Sequence, residues 1–216
     1  MKRWFVLGLV LLFLAACSPD DWTNRLPYAG PVEKGIDKGA FLPGSEIQYL
    51  GRSGDRALVS IDGKDTEKKV GDPLEWKQDV IRDVNVDQTY RVVLITDDTL
   101  HAAGTVRVIV WNAVPEPEPA DTSAPIHFKL PVGYHVDRGT VIPGTVIAYE
   151  GKTDQGAELG NVEGHPYRQV GDSILWEGKL REGVWIQLDL RTALVGDETM
   201  DVIGTVDLWI VPRAGQ

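Results

Sequence analysis

The sequence predicts an all-β protein built as two tandem copies of one β-sandwich or small-barrel domain. Three observations predict it. Apolar and polar residues alternate with period two through much of the chain. Apart from residues 71–84, no segment of the body holds a helical period over ten residues. The chain also matches itself, without a gap, when shifted by 100 residues. Alternation places one strand face in a core and the other in water. A self-match at fixed offset marks a repeated structural unit.

The repeat is the strongest of the three. Over residues 28–115 and 128–215, 22 of 88 aligned positions are identical, where ordinary residue usage gives roughly 5. The shared positions include Pro43, Gly44, Tyr49, Gly51, Gly71, Asp72, Trp76, Arg91 and Gly104, each recurring at its number plus 100. Apolar swaps such as Leu42/Ile142, Leu74/Ile174 and Leu100/Met200 conserve character between the copies.

Each copy reads as six or seven strands. SEIQYLG/TVIAYEG and RALVSID/AELGNVE supply two, and a short one follows near Lys68/Arg168. The next stretch, GDPLEWKQDVIRDV, looks helical alone. Asp72 could cap it, Pro73 suits a first helical position and Glu75 the first turn. Its counterpart GDSILWEGKLREGV carries Gly178 and Gly183, which a short helix tolerates poorly. The shared apolar positions 74/174, 76/176 and 80/180 have even spacing, so a strand fits both copies. Residues 84–96 and 100–111 then alternate around a turn at 97–99. In the second copy Val184, Ile186, Leu188 and Leu190 alternate with Trp185, Gln187, Asp189 and Arg191, ahead of a GDET hairpin turn at 196–199.

Between the copies runs VPEPEPADTSAP (114–125). Alternating Pro excludes a helix or a central strand and favours an extended spacer. The expected organisation is a signal segment 1–16, a tether 17–27, a β-domain 28–114, a linker 115–126 and a β-domain 127–216.

The start of the chain carries an address. Lys2 and Arg3 precede the apolar run 4–14, and Ala15, Ala16 and Cys17 follow. About 11 apolar residues span roughly 16 Å as a helix, short of a bilayer core of about 30 Å. The layout is that of a secretory signal. Leu14, Ala15, Ala16 and Cys17 together resemble the lipobox of bacterial lipoproteins. That resemblance implies cleavage before Cys17, a diacylglyceryl group on its thiol and often an acylated amine. Two or more acyl chains give stable attachment. Cys17 is the only cysteine, so its acylation leaves no thiol for a disulfide. Ser18, not Asp, follows it, which among sorted lipoproteins favours the outer membrane where a cell has two.

Formal charge is −10. An acidic body is repelled by nucleic acid and by anionic headgroups, so nucleic-acid binding is excluded and attachment falls to the lipid.

Motifs for chemistry are sparse. GDSIL (171–175) is similar to the serine block of some lipases and esterases, but Ser173 aligns with Pro73 and no His–Asp pair stands in a partner arrangement. The four histidines at 101, 127, 135 and 165 lack metal-pair spacing, and no cofactor motif occurs. Asp72/Asp172 are expected to bond nearby backbone in a turn. Arg191 and its mate Arg91 are expected to pair with a carboxylate across the sheet, such as Asp189 or Asp207. Trp76/Trp176 and Tyr49/Tyr149 read as core anchors. Trp185 and Trp209 point away from the apolar series, and with Trp111 they are the candidate ligand-binding residues: outward tryptophans stack on sugars or on protein. The expected function is a non-enzymatic, membrane-anchored binding or scaffolding module of the cell envelope. The alternative is a glycan-binding lipoprotein using these tryptophans, and a hydrolase rests on GDSIL alone.

Overall fold

A computed structural model describes residues 25–212. The expected signal segment and Cys17 lie outside the described residues. Every regular element is a strand. The first half holds β1 (Arg25–Asp37), β2 (Ile47–Ser53), β3 (Arg56–Ile61), β4 (Lys64–Lys68), β5 (Pro73–Ile81), β6 (Val84–Ile95) and β7 (Thr99–Trp111). The linker contributes β8 (Glu116–Pro117). The second half holds β9 (Ile126–Asp137), β10 (Ala148–Thr153), β11 (Gly156–Gly160), β12 (Tyr167–Arg168), β13 (Ser173–Arg181), β14 (Val184–Val195) and β15 (Thr199–Ile210).

Each half pairs a large antiparallel sheet with a small one. The orders are β1-β7-β6-β5 with β2-β3-β4, and β8-β13-β14-β15-β9 with β10-β11-β12. The tandem all-β architecture read from the repeat is therefore present. The helix-like stretch GDPLEW begins β5, in the same place as its counterpart β13. Burial follows the alternation: Val84, Val86, Tyr90 and Val92 of β6 are buried, as are Val184, Ile186, Leu188 and Leu190 of β14.

The shared residues have physical reasons. Gly44 and Gly144 have φ of 72° and 82°, a left-handed conformation in which glycine alone is unstrained. At Gly104 and Gly204 a Cβ would lie 2.0 Å from the carbonyl oxygens of Thr89 and Asp189, so only glycine fits. The buried Tyr49 hydroxyl donates to the Thr96 carbonyl at 2.5 Å, and that of Tyr149 to the Gly196 carbonyl. Asp72 and Asp172 carboxylates accept from the amides of Lys69 (2.8 Å) and Gln169 (2.7 Å). Arg91 differs from expectation: it donates to the Gly71 carbonyl at 2.9 Å. It sits opposite Pro73 on the edge strand β5, beside that turn, so the nearest acceptor is backbone. Asp207 is already taken by His127 and Lys129.

The halves pack together, in part through corresponding positions of the two copies. Gly44 lies against Ile126, and its mate Gly144 lies against Leu26 and Tyr28. The turn at 81–83 meets the turn at 181–183: Arg181 Nη2 lies 3.2 Å from Asp83 Oδ2, and Gly183 abuts Ile81. Lys34 donates to the His127 carbonyl at 3.3 Å with its Nζ 5.7 Å from the centre of the Phe128 ring. Burial of its amine lowers the Lys34 pKa. At the centre of the seam Gly30 lets the Pro131 ring approach β1. The buried side chains of both halves form one continuous cluster.

Candidate functional site

Two features of the second half stand out, one on each side of the linker strand. The first is an aromatic row on the outer face of its large sheet. Trp185 and Trp209 are direct cross-strand partners on β14 and β15. His127 of β9 stacks on Trp209 with ring centres 5.0 Å apart and planes at 14°. Asp207 holds that imidazole at 2.8 Å and Lys129 at 2.9 Å. Trp209 is 7% exposed. Trp185 is half-buried, and its indole N–H donates to Glu118 of the linker at 3.1 Å. Lys179 bonds the same carboxylate at 2.9 Å. The Lys179 bond first, then that of Trp185, holds the Glu118 pKa down, and Glu118 in turn raises that of Lys179.

Trp111 is not part of this row. It ends β7 in the first half, and its carbonyl accepts from Arg181 at 2.6 Å. The structure thus brings Trp185 and Trp209 together and leaves Trp111 at the seam. Sequence alternation gave the outward direction of Trp209 but not its cover.

The second feature is a cleft of about 590 Å³ lined by the linker, the 161–166 loop and β13. Pro117 and Pro119 of the linker, Val162 of the 161–166 loop and Ile174 and Trp176 of β13 line it. In the first half β4 runs five residues, whereas β12 runs two; the loop at 161–166 takes the place of the missing strand. Trp176 is 9% exposed, and its indole N–H is buried without a hydrogen-bond partner. Glu118, Glu163 and Glu177 rim the cleft against one cation, Arg168. That guanidinium spans the carbonyls of Ser173 (3.0 Å) and His165 (2.5 Å). Sequence reasoning found Trp176 as a core anchor but not the cleft beside it; the departure of 161–166 from its repeat was the available signal.

No hydrogen bond joins a histidine to Ser173 among the described residues; His127 and His135 bond Asp207 and Asp201, and His165 faces the Tyr167 carbonyl. Among the described residues no three His, Cys, Asp or Glu side chains gather as a metal site. The chain matches no protein-family model, no curated protein and no solved structure.

Proposed function

We propose that this protein is a bacterial envelope lipoprotein, held to its membrane by acyl chains on Cys17, whose two-copy β-body serves as a binding or scaffolding module and not as an enzyme. The observation that carries the reading is the lipobox-like Leu14, Ala15, Ala16 and Cys17, placed directly ahead of an acidic, sheet-built body. Such a body gains nothing from anionic headgroups, so the lipid does the anchoring. Ser18 favours the outer membrane where there are two. The packed halves support a scaffold role, because a rigid body presents its surfaces at fixed separation. A partner would be an envelope protein or polysaccharide.

The cross-strand pair Trp185/Trp209 supports a second reading, glycan binding, in which the free part of the Trp185 ring stacks on a sugar. The overlying His127 and the bond to Glu118 narrow that surface.

The test is fractionation of cells carrying the wild-type chain or Cys17→Ser, followed by cross-linking of the membrane-held protein. The expected result is release of Cys17→Ser from the membrane pellet and cross-linked envelope partners for the wild type. Equal retention of both would refute the anchor.

A further inference from the structure

We infer that β13 is a docking edge: an extended, basic segment of a partner protein adds to it as a further strand, alongside the linker strand β8. This deepens the binding role proposed above and rests on it.

The backbone geometry comes first. Thr192 donates its N–H to the Asp172 carbonyl at 3.0 Å and accepts from Gly171 at 2.8 Å, so its amide groups point toward β13. By the period of two, those of Leu190, Leu188 and Ile186 do so as well. Their partners Ile174, Trp176 and Gly178 therefore spend their hydrogen bonds inside the sheet. The backbone groups of Ser173, Leu175 and Glu177 face outward. Ser173 gives its carbonyl to Arg168. β8 pairs with Gly178 and Lys179, which engages the outward carbonyl of Glu177 with the linker, so the edge that no described strand covers is residues 173–176.

The repeat then shows that the two copies differ in the protection of this edge. Sheet edges are blunted against strand addition by proline and charge. The first half follows that rule, with Pro73, Glu75, Lys77 and Asp79 at the outward positions of β5. In β13 the first two are Ser173 and Leu175. Where the first copy has proline the second has a residue with an N–H, and where the first has a carboxylate the second has a leucine that is 68% exposed. The linker demonstrates strand addition at this edge, since Glu116 and Pro117 already pair there. The cleft, lined by polar and apolar surface alike, runs on from that point and would take alternate side chains of the incoming strand.

Charge selects the occupant. At the rim Glu163 and Glu177 face Arg168, while Glu118 is already held by Lys179. A basic strand complements them, whereas a second copy of this chain would bring the same carboxylates together, on a body of charge −10.

The experiment pans a phage-displayed random dodecapeptide library on the full-length protein and, in parallel, on Leu175→Glu. That variant installs the first-half residue at an exposed position, so the fold is kept; an unchanged melting curve checks it. The expected outcome is enrichment on the wild type alone of sequences alternating apolar residues with Lys or Arg. A synthetic peptide of the leading sequence should bind Leu175→Glu at least tenfold more weakly and lose binding when its alternate amides are N-methylated. Absence of enrichment, equal enrichment on both proteins, or indifference to N-methylation would overturn the inference. So would competition by cell-wall polysaccharide, or a dimer of the wild type that Leu175→Glu dissolves. Envelope cross-links that persist unchanged in Leu175→Glu would remove the docking edge while leaving the anchored binding role standing.

Discussion

Replacing Gly30 with alanine should loosen the seam between the halves. A Cβ at Gly30 would lie 2.4 Å from Pro131 Cδ and 2.8 Å from Cγ, where ordinary contact begins near 3.4 Å. One strand must therefore move by about 1 Å, or the proline ring must give, and a ring has little freedom to give. Forcing an extra methyl into a packed contact costs about 1–3 kcal/mol. For a chain of this length each kcal/mol lowers Tm by about 2–4 °C, so the loss should be about 2–12 °C. Differential scanning calorimetry reads it. Alanine itself suits a strand no worse than glycine, so strain within β1 does not contribute. Pro131→Ala removes the atoms that clash, and the double variant should recover most of the loss. If Gly30→Ala melted like the wild type, the halves would be hinged bodies free to swing apart, and the shared core would be no more than a resting contact.

Trp209→Ala should cost about 3–5 kcal/mol, because Trp209 is buried beneath His127; Trp185→Ala should cost clearly less, as denaturant melts will show. On a polysaccharide column the half-buried Trp185 is the diagnostic residue: Trp185→Ala should reduce retention only if the outer face binds sugar. Tyr49→Phe and Tyr149→Phe should each lose about 1 kcal/mol by denaturant unfolding, and by equal amounts, since each hydroxyl serves a backbone carbonyl at the same place in its copy. The Glu118–Lys179 clasp should open on acidification. A carboxyl with a lowered folded pKa contributes fully above the ordinary glutamate range and loses that contribution as pH falls through the lowered value. The raised Lys179 loses its share only as pH climbs through its own raised value. A fluorescence shift of Trp185 at low pH, absent in Glu118→Gln, reads the opening.

Much of the fold was legible because the chain is written twice. Gly178 and Gly183 in the second copy removed the helix that Asp72, Pro73 and Glu75 suggest in the first. Identical glycines at 44/144 and 104/204 marked backbone that no side chain would fit. What alternation cannot supply is the neighbour across a gap. It gives a face to Lys34 and Phe128, but not the crossing of β1 and β9 that brings them together. It turns Trp209 outward, yet the cover comes from His127, 82 residues earlier in the chain. The expected carboxylate partner of Arg191 was argued from opposite charge within the sheet; for its mate Arg91, register at the edge places the Gly71 carbonyl closer. The linker read as an extended spacer, and extended it is over Glu116 and Pro117. That it would seal part of an edge and leave the rest open depends on β13, some 60 residues away in sequence.

The account rests on a body tied to its membrane by lipid, and mass spectrometry of the N-terminal peptide from the membrane-extracted protein tests that most directly. The expected peptide begins at Cys17, carries a diacylglyceryl group on its sulfur, and contains nothing upstream. A peptide with a bare Cys17 thiol, or one that runs through Ala15 and Ala16 into the apolar segment, would contradict it.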